Sequence, residues 1–190
     1  MVHFGGGYND FRVATLREAL VFLKAWSHWF YVVKKDPKYY PALSLFWREL
    51  KSAEDHLRVQ SRKTVLRLAN LRRCIFCGAE VSLGSGDHII PVSRGGPNSA
   101  ENFMPLCKRC NSSKGNKDLL EWWFSKGRKL RELNLDVLVI YLRFQYRIAE
   151  KEVKLDEPPS PNIFKAVREA MIELPEQLRK KITLFAPLAF

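Results

Sequence analysis

Apolar residues in the first third of the chain recur every three or four positions, which is the spacing of a helix with one buried face. The first such series follows Thr15, which together with Glu18 has the spacing of a helix-capping box. The members of this series are Leu16, Leu20, Leu23, Trp26 and Phe30. We therefore predict a helix that begins after Thr15 and ends before the turn signals Asp36-Pro37 and Tyr40-Pro41.

A second helix is predicted from about Pro41 to Leu71, with two faces of different character. Its apolar face comprises Leu43, Trp47, Leu50, Leu57, Val65 and Leu68. Its other face carries six basic residues, which we call the basic stripe: Arg58, Arg62, Lys63, Arg67, Arg72 and Arg73. Such a stripe is either a solvated helix face or a ridge that contacts phosphates, and its own sequence leaves both interpretations open.

The last third of the chain is also predicted to be helical. Asp118 and Glu121 have capping-box spacing and precede an apolar segment that contains two tryptophans. The segment 135–148 has the apolar content of a buried helix, and we expect Arg143 and Arg147 on its polar side.

A proline-rich linker separates that segment from a last predicted helix. Ser160 can cap this helix, Pro161 can occupy its first turn, and Leu174-Pro175 ends it after Glu173. All five tryptophans are expected in the packed interior: Trp26, Trp29, Trp47, Trp122 and Trp123.

The segment 74–117 differs from its flanks, because it is rich in Gly, Pro, Ser and Asn and contains all four cysteines. The cysteines form two CxxC pairs that are separated by 29 residues: Cys74, Cys77, Cys107 and Cys110. Two tight turns of this kind can place four thiolates around one zinc ion. Gly78 follows the first pair, at a position where such a turn often needs a positive φ.

The alternatives to a zinc site are two disulfides or a thioredoxin-like redox centre. Disulfides are not expected in a cytosolic protein, and two CxxC pairs that flank a polar loop differ from a redox motif. We therefore predict structural Zn²⁺. Four thiolate ligands leave no open position for a substrate, so this ion would be a staple and not the catalyst.

The chain of 190 residues contains 32 Lys and Arg against 20 Asp and Glu, a net charge of +12. This excess favours a polyanionic partner, nucleic acid first and a membrane surface second. The apolar run Leu20–Val33 is too short to span a bilayer and is interrupted by Lys24 and His28. Because residues 1–10 lack the layout of a signal peptide, we expect a cytoplasmic protein with no membrane partner.

An ordered set of polar motifs lies between and after the CxxC pairs. Asp-His-Ile-x-Pro occupies 87–91, Ser-x-Gly-Gly occupies 93–96, and an isolated asparagine stands at Asn102. Leu-Cys-x-x-Cys-Asn-x-x-Lys then occupies 106–114. Over about 74–117 this run closely resembles the HNH endonuclease family. The resemblance implies a ββα-metal nuclease core for this segment. Together with the predicted helical flanks, this gives an α+β fold: a mainly helical chain that carries a small, zinc-stapled nuclease core.

The candidate catalytic residues have the chemistry that phosphodiester hydrolysis needs, namely a hard cation and a base for the attacking water. Asp87 and Asn111 offer hard oxygen ligands for Mg²⁺ or Mn²⁺, and His88 offers an imidazole, the kind of side chain that most often serves as a general base. The resemblance implies that Asp87 and Asn111 hold the catalytic ion and that His88 is the general base. It also implies that Asn102 braces the loop that presents His88. Asn111 stands where many family members have His.

Several basic residues are candidates for contacts with nucleic acid. Arg94 and Lys114 lie within the motif, and four members of the basic stripe lead into it: Arg58, Arg62, Lys63 and Arg67. The resemblance implies a DNA endonuclease that leaves 5′-phosphate and 3′-hydroxyl ends. The alternatives are a nuclease for RNA or branched DNA, and a zinc-stapled nucleic-acid-binding protein that does not cleave.

The sequence also predicts how the chain is divided. We expect a basic helical flank at 1–73, the nuclease core at 74–118 and a second helical flank at 119–190. One active site of this kind cuts one strand. Cleavage of a duplex would therefore need a homodimer or two successive nicks.

Overall fold

The computed structural model describes most of the chain: residues 11–39, 43–59 and 62–184. The segment 1–10 and the predicted turn at Tyr40-Pro41 therefore lie outside the described residues. Within the described part, helices dominate, and the short strands form two sheets of two strands each. The predicted fold class, a mainly helical α+β chain, is confirmed.

The first helix begins where the sequence predicts. A short strand, β1 (Phe11–Val13), leads into α1 (Leu16–Lys35). Oγ of Thr15 accepts a hydrogen bond from the backbone N–H of Glu18 at 3.3 Å, and the Glu18 carboxylate accepts one from the Thr15 N–H at 2.9 Å. These reciprocal bonds satisfy N–H groups that the first turn of a helix otherwise leaves without partners.

Four residues of the basic stripe lie on two separate helices, and Arg72 and Arg73 follow the second one, so the prediction of one helix from Pro41 to Leu71 is wrong. The first of them, α2 (Leu43–Arg58), ends before a bend at Val59, and α3 (Arg62–Ala69) follows. Whereas α2 packs against α1, α3 contacts the strand at 103–105. Both helices also contact the helix at 135–151, but their other packing partners differ, and tertiary contacts override the helical periodicity.

The middle segment contains a small hairpin followed by a helix, and the C-terminal third is helical. The hairpin strands are β2 (Gly86–His88) and β3 (Phe103–Pro105), and α4 (Lys108–Lys114) follows them. The remaining elements are α5 (Leu119–Ser125), α6 (Leu135–Lys151), α7 (Pro161–Glu173), α8 (Glu176–Arg179) and β4 (Ile182–Leu184).

The two predicted caps in this third are confirmed. The Asp118 and Glu121 side chains form a capping box at the start of α5. Oγ of Ser160 accepts from the N–H of Ile163 at the start of α7, which has Pro161 in its first turn. The helix ends before Leu174 as predicted, but the chain continues as α8 and then β4.

The helical flanks pack against each other around α1, which contacts α2, α6 and α7. The parallel pairing of β1 with β4, which places Phe11 opposite Ile182, also joins the two flanks. One cluster of buried apolar side chains includes residues from all three predicted segments. Trp26, Trp29, Trp122 and Trp123 are buried in it, as expected, whereas Trp47 is only partly buried. The boundaries at 73 and 118 stay a prediction.

One residue of α6 is placed differently from its prediction. Arg143 was expected on a polar, exposed face, but its relative exposure is only 5%. Because α6 contacts α1, α2 and α3, the face that carries Arg143 is covered by neighbouring helices.

Among the described residues, no helix has the length and apolar content to cross a membrane.

Candidate active site and cysteine cluster

The hairpin and the helix α4 bring the ordered motif together. β2 and β3 pair antiparallel, with Asp87 opposite Met104 and His88 opposite Phe103, and α4 contacts β2. A Cβ atom at Gly86 would lie 2.1 Å from the backbone oxygen of Met104, so only glycine allows the strands to pair this closely. The order strand, strand, helix is the ββα arrangement that the resemblance implies.

Asn102 joins the two sides of the loop between the strands. Its Oδ1 accepts from the N–H of Ile90 at 2.9 Å, and its Nδ2 donates to the backbone oxygens of Ile90 at 2.8 Å and Pro97 at 2.9 Å. The side chain is fully buried, so these bonds satisfy polar groups that water does not reach. This geometry can fix the backbone immediately after His88.

Asp87 is held by two donors. Its Oδ1 accepts from the backbone N–H of His88 at 2.8 Å, and its Oδ2 accepts from Nζ of Lys114 at 3.0 Å. Lys114 was expected to contact phosphate, but its side chain is completely buried. A buried ammonium needs a nearby carboxylate, and Asp87 is that partner. The structure therefore gives Lys114 the position of an internal counter-ion and not of a surface phosphate contact.

The imidazole of His88 has a partner that the sequence did not indicate. Its Nε2 lies 3.1 Å from Oδ1 of Asn98, an exposed residue ten positions later in the loop. Because a carboxamide oxygen only accepts, this contact calls for the tautomer with the proton on Nε2. Nδ1 then keeps its lone pair and is the basic nitrogen.

Asn111 lies in α4 and is oriented by the hairpin. Its Nδ2 donates to the backbone oxygen of Gly86 at 3.0 Å. This bond uses the amide nitrogen, so the carboxamide oxygen is the atom that can act as a ligand. Asp87 and Asn111 are both partly exposed, which leaves their oxygens accessible from solvent. A carboxylate and a carboxamide oxygen fit the preference of Mg²⁺ or Mn²⁺ for hard ligands.

The four cysteines converge in a metal-binding arrangement. Their Sγ atoms all lie within 4.8 Å of one another, and Cys77 and Cys107 are 3.7 Å apart. Sulfurs at about 2.3 Å from a tetrahedral zinc ion lie about 3.8 Å apart, so the cluster fits such an ion. All four are free thiols, which disagrees with the disulfide alternative. Gly78 has φ +74°, as the predicted turn requires.

The thiols influence one another strongly. Burial raises the pKa of Cys74, but backbone hydrogen bonds from Cys77, Cys107 and Phe76 outweigh this effect and lower the pKa to about 7. Burial and the neighbouring sulfurs raise the pKa of Cys110. Four thiolates cannot share so small a volume without a cation, because each would raise the pKa of the others. The cluster therefore has the electrostatics of a cation site.

Phe76 connects the cysteine cluster to the C-terminal helices. Its ring centroid lies 4.7 Å from that of Trp122 and 5.5 Å from that of Trp123, both in α5. The guanidinium of Arg128 covers the same ring at 4.9 Å, and Nη2 of Arg128 donates to the Phe76 backbone oxygen. The second flank thus supports the turn that carries Cys74 and Cys77.

Two residues of the basic stripe make ion pairs within the protein. Arg67 donates from Nε to Oδ2 of Asp136 at 3.0 Å and from Nη2 to Oδ1 of the same carboxylate. Arg58 donates to carboxylates of Glu54 and Glu150, each at 3.2 Å. Their guanidinium groups therefore have carboxylate partners already, which weakens their case as phosphate contacts.

The other predicted nucleic-acid contacts lie on the surface. Arg62 and Lys63 are exposed on α3, the helix that contacts the hairpin through β3. Arg94 is also exposed, but its Nη1 lies 3.0 Å from a carboxylate oxygen of Glu121. Whether these three residues contact nucleic acid stays a prediction.

Comparisons with known proteins identify the middle segment. The HNH endonuclease family matches residues 74–117. Over 79 residues the chain is 34% identical to the CRISPR-associated endonuclease Cas9 of Corynebacterium diphtheriae, a match that covers 36% of this chain and 7% of that protein. Over 55 residues it is 34% identical to anaredoxin of Nostoc sp., covering 28% of this chain and 72% of that protein. No solved structure matches.

The family match and the geometry agree on the same residues. The matched segment begins at the first cysteine and ends after α4, so it contains the hairpin, the cysteine cluster and Asn111. The match to Cas9 spans 7% of the length of that protein. Residues 74–117 of this chain are an HNH endonuclease domain.

Proposed function

We propose that this protein is a metal-dependent endonuclease that hydrolyses phosphodiester bonds in DNA. The observation that carries the proposal is that α4 places Asn111 against the strand that carries Asp87 and His88, inside the HNH domain. A protein that only binds DNA has no need for a base beside two hard metal ligands. Phosphodiester hydrolysis requires both a general base for the attacking water and a divalent metal ion at the phosphate.

In this proposal His88 is the general base. The contact with Asn98 leaves Nδ1 to take a proton from a water that is aligned with the scissile bond. Asn102 fixes the backbone that follows His88 and thereby fixes the direction of the imidazole. The products would be a 5′-phosphate and a 3′-hydroxyl, as the resemblance of residues 74–117 to the HNH endonuclease family implies.

Asp87 and Asn111 would hold one Mg²⁺ or Mn²⁺ ion through their oxygens. When bound, this ion would polarise the scissile phosphate and neutralise the charge that develops on the leaving oxygen. Lys114 keeps the Asp87 carboxylate in one orientation through its 3.0 Å contact with Oδ2. Asp87 thus keeps lone pairs for an ion without rotating.

The cysteine cluster would hold a structural zinc ion. The short distances between the sulfurs and the four thiolate ligands support this part of the proposal. Tetrahedral sites with four thiolates also accept iron, so the identity of the metal needs a direct measurement. We expect elemental analysis of the purified protein to give one zinc ion per chain. One iron per chain with a visible absorption band would contradict the zinc assignment.

The substrate and the cleavage reaction are tested with supercoiled plasmid in Mg²⁺, in Mn²⁺ and in EDTA. The proposal predicts nicked and linear products that form only with the divalent ion. Direct religation of the products by a ligase would demonstrate 5′-phosphate and 3′-hydroxyl ends. RNA duplexes of matched sequence and four-way DNA junctions serve as competing substrates. Faster cleavage of either one would identify it as the preferred substrate in place of plasmid DNA. A salt-sensitive gel shift without cleavage would instead support a binding protein.

A further inference from the structure

A cavity of about 370 Å³ lies among α1, α2, α3 and α6. It is within the range of small-molecule sites, which are typically about 300–1,000 Å³. None of its described lining residues belongs to the 74–117 domain, so the cavity is separate from the candidate active site. Its wall combines apolar side chains with basic ones.

Two of the basic residues in the wall are buried. Arg143 has a relative exposure of 5% and Lys24 of 9%. Within the described chain, Nε and Nη1 of Arg143 are buried and have no hydrogen-bond partner. A guanidinium in this state requires an acceptor, because water no longer solvates it. The burial of Arg143 and Lys24 also lowers the pKa of each group, so both are destabilised in their charged forms.

The acidic residues near the cavity do not supply that acceptor. Asp136, which lines the cavity, is bound through both oxygens by Arg67. Glu49 interacts electrostatically with Lys24 and His28, and Glu101 interacts with Arg143 at a distance too long for a hydrogen bond. Asp136, the one carboxylate among the described lining residues, is taken by Arg67. Lys24 and Arg143 are therefore the two cations of the wall that can face an anion, and Glu49 offsets part of the charge of Lys24.

The rest of the wall suggests what the anion is attached to. Tyr31, Leu135, Val139 and Ile140 line the cavity and provide an apolar, partly aromatic surface. A carboxylate has one negative charge, whereas a phosphate monoester has about two near neutral pH and matches the fork of a guanidinium. The combination fits a phosphate monoester that is joined to a flat ring.

We propose that this cavity binds a nucleoside monophosphate, with its phosphate on Arg143 and Lys24 and its base against the apolar wall. The same phosphate monoester occurs in a free nucleotide and at the 5′ end of a DNA strand. The proposal rests on the cavity alone and does not depend on the nuclease activity. Its failure would therefore leave the proposed function unaffected.

Calorimetric titration of the full-length protein with deoxyadenosine monophosphate tests the proposal. We expect saturable binding of one molecule per chain, and binding of deoxyadenosine that is weaker by about tenfold or more, because the charged hydrogen bonds are lost. Inorganic phosphate should also bind more weakly. Equal binding of inorganic phosphate and the nucleotide would overturn the assignment of the base to the apolar wall.

Variants show whether the nucleotide occupies this cavity. Arg143→Met should weaken nucleotide binding about tenfold or more while the melting temperature of the free protein is maintained, because an unpaired buried charge is removed. Arg168→Met, which changes an exposed arginine on α7, is the matched control and should bind like the wild type. Lys24→Met is the second variant if Arg143→Met does not fold.

Two outcomes would overturn the proposal: no binding to the folded wild type at millimolar nucleotide, or equal affinity for the Arg143→Met, Lys24→Met and Arg168→Met variants. Oligonucleotides with and without a 5′-phosphate identify the source of the ligand. Preference for the phosphorylated strand would assign the site to a DNA end. Binding of the free nucleotide alone would assign it to a small molecule.

Discussion

The 74–117 domain and the helices around it are stabilised by different interactions. In the helical part, large apolar side chains such as Phe22, Trp26 and Leu138 are fully buried. In the domain, a few buried apolar side chains such as Ile90 and Met104 are joined by the polar side chain of Asn102, the ion pair of Asp87 with the buried Lys114 and four clustered thiols. Apolar packing is spread over many residues, whereas each polar clamp depends on one or two.

This difference has a consequence for function. The residues that carry the candidate chemistry are fixed by a few specific bonds, so a single substitution can disable the site while the helices stay folded. The helices, in turn, tolerate surface changes but lose stability when a large side chain is removed from the interior. The following predictions separate the two behaviours, beginning with the largest expected effect.

Cys77→Ser should remove one ligand of the cysteine cluster and abolish metal binding. Binding of a structural zinc ion contributes about 10–16 kcal/mol in small zinc domains, so we expect 74–117 to unfold. Helical circular dichroism should decrease only slightly, because most helices lie outside this segment. Elemental analysis and hydrogen exchange of 74–117 measure the effect. Unchanged metal content and unchanged exchange would show that the cluster is not a staple.

Trp26→Ala should destabilise the whole protein by about 3–5 kcal/mol, because it opens a cavity in the apolar interior. Trp47→Ala is the matched control, since Trp47 is only partly buried, and its effect should be clearly smaller. Denaturant unfolding followed by circular dichroism measures both. If the two variants lose the same free energy of unfolding, the apolar cluster around α1 does not have the central role described above.

Asn102→Ala should leave the backbone groups of Ile90 and Pro97 without their partners. A buried polar group without a hydrogen bond costs about 1–3 kcal/mol, and the loop that presents His88 should become mobile. We expect a large loss of cleavage with a moderate loss of stability. Hydrogen exchange at Ile90 provides a readout besides activity. If the Ile90 amide of the variant exchanges as slowly as that of the wild type, Asn102 does not brace the loop.

Asn98→Ala should lower cleavage by about tenfold, an effect typical of groups that orient a functional imidazole. Stability should hardly change, because Asn98 is exposed. The matched control is Asn162→Ala on α7, which should cleave like the wild type. Separate measurement of kcat and KM distinguishes a positioning role from a structural one, since loss of the Nε2 partner should lower kcat and leave KM nearly unchanged. Full activity with an unchanged kcat would remove Asn98 from the site.

Arg62→Ala combined with Lys63→Ala should weaken DNA binding, and the slope of log affinity against log salt should fall by about two. Arg67→Ala should change this slope less, because its guanidinium already binds Asp136. The surface ion pair between Arg67 and Asp136 should contribute only about 0.2–1 kcal/mol to the free energy of unfolding. Fluorescence anisotropy at several salt concentrations measures the slopes. Equal slopes for the wild type and all the variants would show that the basic stripe is a solvated helix face that does not contact DNA.

Local signals in the sequence were sufficient for the helix starts and for the cysteine cluster. The caps at Thr15, Asp118 and Ser160 act within one helical turn, so the residues nearby determine them. The break at Val59 depends instead on what α2 and α3 pack against, which no local pattern contains. The spacing of the CxxC pairs was informative because two residues between thiolates fix the geometry of the turn.

Contacts between distant residues were beyond the sequence. Lysines are rarely buried, so the burial of Lys114 was not predicted, and only the fold brings it to Asp87. Asn98 carries no motif, and its contact with His88 depends on where the loop returns. Arg143 was predicted on the polar side of its helix, and the helices that cover it come from elsewhere in the chain. In each case the tertiary fold decided the outcome.

The central claim is that His88, supported by the polar clamps of the domain, performs metal-dependent cleavage. The most direct measurement compares wild type and His88→Ala on supercoiled plasmid with Mg²⁺, at matched metal content and melting temperature. We predict that the wild type nicks or linearises the plasmid and that the variant loses cleavage by at least about a hundredfold while it still binds DNA. Cleavage by His88→Ala at the wild-type rate would contradict the account.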